Sequence, residues 1–274
     1  MQSGVAFNGT APAISPDGRT LAFAASSPDG RTQIWLKPMN SLEARVLPGT
    51  DGVGAPIFWS PDGRSLAYSG PRLPGLMRIE VAGGPPQSLA CAQVAYTSAP
   101  LADWSPEGII VFHVGEGLMQ MPAGGGTCSL VTRLDPKRGE LRHNSPSFLP
   151  DGRHFLYHRT GREEQDSGIY VGSLDSKPEA QSTTPILKGA SAARYVAAPG
   201  SSSGYKTGYV MFVRGNVLMA QRDDPASLTL AGEAVAITEN LSAGANADSG
   251  MFTASANGRL VYRTGEVGGN RQIT

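Results

Sequence analysis

The sequence has few cysteines and no excess of charge. Cys91 and Cys128 are its two cysteines, which are too few for a disulfide framework and fit no metal-binding spacing. We expect two packed or half-exposed thiols, with a disulfide between them as the less favoured alternative. Lysine plus arginine number 23, as do aspartate plus glutamate, so the net charge is zero. No basic patch stands out, and we therefore expect no nucleic-acid binding.

Long apolar segments and helical patterns are also missing. No apolar run approaches the roughly 18 residues that a membrane-spanning helix needs, so we expect no membrane insertion within this chain. The N-terminal residues lack the charged and apolar regions of a signal peptide. Apolar residues do not recur at helical spacing over any long stretch, which excludes a mainly helical fold.

Glycine and proline, in contrast, are abundant and regularly placed. The 35 glycines and 21 prolines are spread among short apolar runs, a composition typical of many strands joined by turns. Turn glycines at Gly18, Gly63, Gly108 and Gly152 follow at intervals of 45, 45 and 44 residues, and the same frame returns at Gly258. A repeat of this length with four apolar runs per unit is typical of propeller blades.

The repeat predicts an all-β fold, a six-bladed β-propeller of four-stranded antiparallel blades that forms a single domain over residues 1–274. The approximate blades are residues 10–53, 54–98, 99–143, 144–190, 191–248, and 249–274 plus 1–9. The last blade lacks a matching fourth run. We expect it either to be incomplete at the C-terminus, as in part of a longer protein, or to be closed by the N-terminal strand.

The motif SPDG stands in a matching sequence frame at Ser15 to Gly18 and at Ser60 to Gly63, and it has a local structural explanation. Proline suits the first corner of a turn, aspartate bonds to nearby backbone amides, and glycine accepts the left-handed conformation. We expect each motif to form the hairpin turn between the first and second strands of a blade. Turn chemistry thus accounts for Asp17, Asp62 and Asp151, and we assign them no catalytic role.

The densest polar stretch is KRGELRHN, which we expect to link the third blade to the inner strand of the fourth. A solvated loop is the simpler interpretation, because loops are polar by default. In the functional interpretation, Arg142, His143 and Asn144 reach the mouth of the central channel. Asp103 and Arg194 occupy equivalent points in the third and fifth blades. These five residues form the candidate polar ring for binding a ligand or partner.

Three further motifs favour structural explanations. His154 and His158 lie on a predicted strand, where they share a polar face but stand about 13 Å apart, too far to bind one metal. The GSSSG stretch around Ser202 matches a nucleophile motif, but a predicted strand follows it instead of the helix that a nucleophile elbow needs. Trp59 and Trp104 precede the turn serines at matching positions, and we expect them to pack between blades. We predict no catalytic residue, no metal and no cofactor.

The segments SPDGRTLAF and SPDGRSLAY, followed by QIWLKPMN and MRIEVAGGPPQSL, resemble the repeat of TolB-like propellers, a WD-repeat-like family. This resemblance covers essentially the whole chain. GTDGVGAPIFWSPDGRSLAY, FLPDGRHFLYH, GIYVGSLDS and LVYRTG also resemble the propeller regions of bacterial, eukaryotic-like Ser/Thr protein kinases. That resemblance implies an extracytoplasmic or periplasmic sensor or interaction module. The motifs of a kinase domain are missing, so kinase activity would have to lie in other sequence.

Two function hypotheses follow. The first is a non-catalytic binding or sensor propeller of a larger bacterial protein, such as a Ser/Thr kinase, with a protein or peptide as its ligand. The second is the accessory, substrate-gating propeller of a prolyl-oligopeptidase-like serine peptidase, since such propellers also carry SPDG turns. An adjoining α/β-hydrolase segment would decide for the second. A hydrolase with a metal in the channel ranks last, because only Asp103 and Asn144 qualify as inward ligands.

Overall fold

The computed structural model describes residues 6–7, 11–54, 56–73, 75–89, 101–115, 117–163, 166–198, 208–224, 226–242 and 251–265. In these ranges the chain forms twenty-three β-strands and two short 3-10 helices, Pro136–Arg138 and Pro178–Ala180. The strands coincide with the short apolar runs that the turn residues separate. Helices long and apolar enough to cross a membrane are not found in these ranges.

The first sheet includes the N-terminal strand. It consists of β1 (Ala6–Phe7), β2 (Ala13–Ile14), β3 (Thr20–Ser26), β4 (Thr32–Pro38) and β5 (Arg45–Val46). β1 and β2 both pair with β3, where Ala6 lies opposite Ser26 and Ala13 lies opposite Ala22. Because β2 covers only part of β3, the backbone groups near the end of β3 need another partner, and β1 supplies it. The expectation that the N-terminal strand closes the sixth blade is therefore wrong.

The second and third sheets each contain four antiparallel strands in chain order. The second sheet consists of β6 (Ile57–Trp59), β7 (Ser65–Tyr68), β8 (Met77–Glu80) and β9 (Gln87–Ser88). The third sheet consists of β10 (Ala102–Trp104), β11 (Ile109–Val114), β12 (Gly117–Pro122) and β13 (Ser129–Leu130). Both sheets match the four-stranded blades that the repeat predicts.

The fourth and fifth sheets have the same strand order and longer strands. The fourth sheet consists of β14 (Glu140–Phe148), β15 (His154–Gly161), β16 (Gly168–Ser173) and β17 (Leu187–Lys188). The fifth sheet consists of β18 (Ser191–Ala197), β19 (Gly208–Arg214), β20 (Val217–Asp224) and β21 (Thr229–Thr238). The outer strand β21 has ten residues, whereas the outer strands β5, β9, β13 and β17 have two each.

The sixth repeat contributes a two-stranded sheet of β22 (Phe252–Ala254) and β23 (Leu260–Tyr262) in the described part of the chain. It lies against the first sheet, where the Ile14 amide donates to Thr253 Oγ1 at 3.3 Å and Asn257 Nδ2 donates to the Asp17 carbonyl at 2.8 Å. The prediction of six four-stranded blades is thus wrong in number, because the described residues form five sheets of four or more strands. The turn frame at Gly258 identifies a hairpin, but it carries no information on whether two outer strands follow it.

Six apolar clusters fill the spaces between neighbouring sheets. β3 shows how the sequence supplies them, because successive side chains of a strand point to opposite faces. Leu21, Phe23 and Ala25 pack toward the sixth sheet, whereas Ala22 and Ala24 pack toward the second. A continuous apolar run therefore marks a strand that is buried on both faces.

Trp59 and Trp104 pack between sheets, which confirms the prediction. Each is 8% exposed, and they lie in the clusters between the first and second sheets and between the second and third. Trp59 Nε1 donates to the Ala13 carbonyl at 3.0 Å, and the Arg78 guanidinium lies 5.5 Å from the centre of the Trp104 ring. The two tryptophans thereby hold neighbouring blades together.

The predicted hairpin turns are also confirmed. The glycine that ends the turn has a φ angle between 68° and 84° at Gly18, Gly63, Gly108, Gly152 and Gly258. In the second sheet, Ser60 Oγ donates to Asp62 Oδ1 at 2.5 Å and accepts from the Ser65 amide at 2.9 Å. The turn aspartate is thus held inside its own hairpin, as turn chemistry requires.

Candidate functional site

The predicted polar ring lies mostly in β14, the inner strand of the fourth sheet. β14 begins at Glu140, so Arg142, His143 and Asn144 belong to a strand that pairs with β15. The expectation of an inter-blade loop at these three positions is therefore wrong. Charged residues in a row are typical of a solvated loop, but here partners on neighbouring strands allow some of them to be buried.

Asp103 on β10 and Arg194 on β18 both reach β14. Asp103 Oδ2 accepts a hydrogen bond from the Phe148 amide at 2.7 Å, and Arg194 Nη1 donates to the Pro146 carbonyl at 3.2 Å. The pairing of β14 with β15 is interrupted by a bulge between Asn144 and Ser147, where Ser145 has a φ angle of 51°. The inner strands of three consecutive sheets are thereby connected through polar side chains.

The electrostatics of Asp103 reflect this position. Burial raises the pKa of its carboxyl, while the charge of Arg194 and the backbone amides of Phe148 and Trp104 act in the opposite direction. The charge of Arg194 therefore favours the ionised form of a carboxylate that is partly buried between the inner strands. Through the hydrogen bond from the Phe148 amide to Oδ2, the Asp103 side chain joins β10 to β14.

His143 belongs to a second network, which is buried between the third and fourth sheets. Its ring is 1% exposed, with Nε2 3.1 Å from Glu140 Oε2 and Nδ1 2.8 Å from Thr132 Oγ1. Burial lowers the pKa of His143, although the hydrogen bond to Glu140 acts to raise it. Both ring nitrogens of His143 thus have partners inside the protein.

The carboxylate of Glu140 is the centre of this network. Its Oε1 accepts from Arg159 Nη1 at 2.6 Å, and its Oε2 accepts from the Asp135 amide at 2.7 Å. Burial acts to raise the pKa of Glu140, but the hydrogen bonds from His143 and the Asp135 amide, with the Arg159 charge, lower it. The Arg159 guanidinium lies 3.8 Å from the centre of the Tyr170 ring, a cation–π contact. Glu140 and Arg159 thus form a buried ion pair between the third and fourth sheets, in which each charge compensates the other.

The remaining two candidates, Arg142 and Asn144, differ in their exposure. The Arg142 side chain is exposed, and Asn144 is 2% exposed within the fourth sheet. The structure therefore brings Asp103 and Arg194 to the same inner strand and places His143 in the separate buried network.

The two histidines of β15 have different surroundings. His158 is 3% exposed, so the expectation that both lie on a polar face is wrong for this residue. His154 is partly exposed, and its Nδ1 lies 2.5 Å from Asp151 Oδ2. In the described ranges, no group of three or more histidine, cysteine, aspartate or glutamate side chains could hold a metal ion.

Cys128 is buried and disulfide-bonded. The expectation of a thiol is therefore wrong at this position, and the less favoured disulfide alternative applies to it. Cys91, the other cysteine of the sequence, lies outside the described residues, as does Ser202 of the GSSSG stretch.

Sequence reasoning missed a cleft of about 610 Å³ between the fourth and fifth sheets. Residues of β16 and the segment after it line one side, residues of β20 and β21 line the other, and His154 of β15 also contributes. A signal was present at the turn of the fourth blade. There Leu149 takes the place of the serine in the other turns, and His154 follows shortly after it.

No protein-family model matches the sequence. Over 173 residues the chain is 28% identical to YuxL of Bacillus subtilis strain 168, an uncharacterized peptidase. The match covers 58% of this chain and 23% of YuxL, so the chain spans less than a quarter of this relative's length.

Solved structures show the same fold. TolB from Acinetobacter baumannii has a TM-score of 0.59 at 13% identity, covering 84% of this chain and 54% of TolB. A puromycin-hydrolyzing peptidase from Mycobacterium tuberculosis has a TM-score of 0.58 at 14% identity, covering 93% of this chain and 43% of the peptidase. At these identities the likeness establishes the fold alone, and the predicted TolB-like propeller architecture is confirmed.

Proposed function

We propose that the chain is a non-catalytic binding propeller, one module of a longer bacterial protein, with a peptide or protein as its ligand. This proposal rests on the hydrogen bonds that the polar residues of the inner strands form within the protein. Asp103 binds the Phe148 amide, and His143 is enclosed with both ring nitrogens partnered. These groups tie sheets together, whereas a hydrolytic site needs a base within reach of a nucleophile and of the substrate. The cleft between the fourth and fifth sheets leaves room for a ligand.

As the parent protein we favour a serine peptidase, in which this chain is the accessory, substrate-gating propeller. The 28% identity to YuxL, an uncharacterized peptidase, supports a peptidase as the parent, and the serine type rests on the resemblance of the SPDG turns. A Ser/Thr kinase with a sensor propeller is the second candidate, supported by the resemblance of the repeat alone. In both cases the catalytic domain belongs to other sequence.

For the location we propose the periplasm or another extracytoplasmic compartment. The disulfide at Cys128 supports this, because disulfides persist in oxidising compartments and are rare in the cytosol. Export of the chain would then be directed by sequence that precedes it in the parent protein.

Binding and cleavage assays on the purified chain test the proposal. Short capped peptides of neutral, acidic and basic composition are titrated into the protein by calorimetry, and each mixture is afterwards analysed by mass spectrometry. We expect saturable binding of at least one class and intact peptides after prolonged incubation. Cleavage in proportion to the protein concentration would contradict the non-catalytic assignment, and absence of binding for every class would contradict the binding function.

A further inference from the structure

The cleft between the fourth and fifth sheets has a consistent chemical character. Its volume of about 610 Å³ is within the usual range of ligand sites, roughly 300–1,000 Å³. Six hydroxyl-bearing residues line it, namely Ser173, Ser176, Ser182, Thr184, Ser227 and Thr229. Much of the remaining wall is aliphatic and includes Val171, Ile186, Leu228 and Leu230. The lining thus combines apolar surface with small groups that both donate and accept hydrogen bonds.

Apart from the imidazole of His154, the described residues that form this lining carry no ionisable or aromatic side chain. Among the described residues that form it, none is aspartate, glutamate, lysine, arginine, phenylalanine, tyrosine or tryptophan. A charged ligand would lose its hydration here without gaining an ionic partner, which is costly. A nucleobase or other flat ring would find no phenyl, phenol or indole face on which to stack, only the small imidazole of His154, which Asp151 holds. The chemistry that remains is that of an uncharged chain with aliphatic side chains and amide groups.

His154 adds one directed acceptor to the cleft. In the first two blades the turn serine donates to the turn aspartate, Ser15 Oγ to Asp17 Oδ1 and Ser60 Oγ to Asp62 Oδ1, both at 2.5 Å. Leu149 has no hydroxyl, and Asp151 Oδ2 instead accepts from His154 Nδ1 at 2.5 Å. In the neutral imidazole this hydrogen bond assigns the proton to Nδ1, so Nε2 is an acceptor. The changed turn of the fourth blade therefore orients a histidine acceptor among the lining residues.

We propose that this cleft binds an uncharged peptide segment with aliphatic side chains, and that His154 Nε2 accepts a hydrogen bond from a backbone N–H of that segment. The aliphatic wall of the cleft contacts the side chains of the peptide, and the hydroxyl groups of the lining form hydrogen bonds with the amide groups of the peptide. This inference rests on the proposed function as a peptide-binding propeller. It gives that function a location away from the predicted polar ring and an identified class of peptide.

The first experiment tests the peptide class. The 274-residue chain is titrated by calorimetry with acetyl-Ala-Val-Leu-Ala-amide and with two analogues in which leucine is replaced by glutamate or by lysine. We expect the neutral peptide to bind at least about tenfold more tightly than either analogue, since each tenfold step corresponds to about 1.4 kcal/mol. Equal or tighter binding of a charged analogue would overturn the inference.

The second experiment locates the site. Thr229→Trp fills the cleft from β21, and Val235→Trp adds the same side chain to the same strand at a 62% exposed position outside the lining. We expect Thr229→Trp to weaken binding of the neutral peptide at least about tenfold and Val235→Trp to change it by less than about twofold. Urea unfolding of both variants shows that the comparison is made between folded proteins.

Two substitutions at His154 test the acceptor. His154→Asn keeps a donor near Asp151 but removes the Nε2 position, and we expect about fivefold weaker binding, the effect of one lost hydrogen bond. His154→Gln places a carboxamide oxygen near the Nε2 position, and we expect it to restore most of the affinity. If peptides bind but Thr229→Trp binds as the wild type does, the site lies elsewhere, and the inference fails while the proposed function stands. If no peptide of any class binds, the proposed function fails with it.

Discussion

Asp223 is a buried carboxyl group whose partners are incomplete. It lies on β20 with 4% exposure, and its Oδ2 has no hydrogen-bond partner in the described part of the structure. Burial, and to a lesser degree the charge of Asp224, raise the pKa of Asp223 to about 6 from the usual 3.8. The folded state thus binds this proton more tightly than the unfolded state does, so the stability of the protein falls as the pH rises between about 4 and 6.

We therefore expect Asp223→Asn to stabilise the protein above pH 6 by about 1 kcal/mol and to have little effect below pH 4. The gain is smaller than the full shift in pKa would give, because the carboxamide that replaces the unpartnered carboxyl is buried there as well. Urea unfolding from pH 3.5 to 8 measures the free energy of unfolding of both proteins. Asp29→Asn is the control, because Arg31 lowers the pKa of this exposed carboxyl and its replacement brings no gain above pH 6. Parallel pH profiles for wild type and Asp223→Asn would show that Asp223 does not titrate in this range.

At the scale of the element, the junction between the third and fourth sheets depends on charged side chains as well as on its apolar cluster. Glu140 at the start of β14 binds Arg159 of β15 and His143 of its own strand. Its removal leaves a buried guanidinium and a buried imidazole without their acceptor, which is more damaging than the loss of an exposed pair.

We expect Glu140→Ala to lower the free energy of unfolding by about 3 kcal/mol and Glu140→Gln, which keeps an acceptor, to lower it less. Arg153→Ala is the matched control, because Arg153 and Asp175 form an ion pair whose side chains are 53% and 54% exposed. Its effect on stability is expected to be small. Urea unfolding at pH 7 compares the three variants, and equal losses for Glu140→Ala and Arg153→Ala would contradict a special role of the buried network.

The same elements show what the sequence can predict. The turns at Gly18 and Gly63 were predictable because a turn is determined by its own four or five residues. The start of β14 at Glu140 was not, because burial of this glutamate depends on Arg159, a residue of another strand. The cleft was missed for a similar reason, since its two walls come from different sheets and meet only after the ring has formed.

At the scale of the molecule, the period of the repeat predicts a ring of blades, because each blade needs the same neighbours on both faces. The ring closes where β22 of the sixth repeat contacts β2 of the first sheet. The pairing of β1 was not predictable, since it depends on which backbone edge is left free after the other blades have formed.

The disulfide at Cys128 is a constraint on the whole molecule, and its loss should be seen in global unfolding. Cys128 is 6% exposed within the cluster between the second and third sheets. A cross-link restricts the unfolded chain, so we expect a reducing agent to lower the free energy of unfolding by about 2–4 kcal/mol. Urea unfolding with and without the reductant measures this change. In Cys128→Ala the reductant should have no further effect, which separates loss of the disulfide from other actions of the reagent. A free thiol detected at Cys128 in protein purified from the periplasm would contradict both the expected stabilisation and the support that the disulfide gives to an extracytoplasmic location.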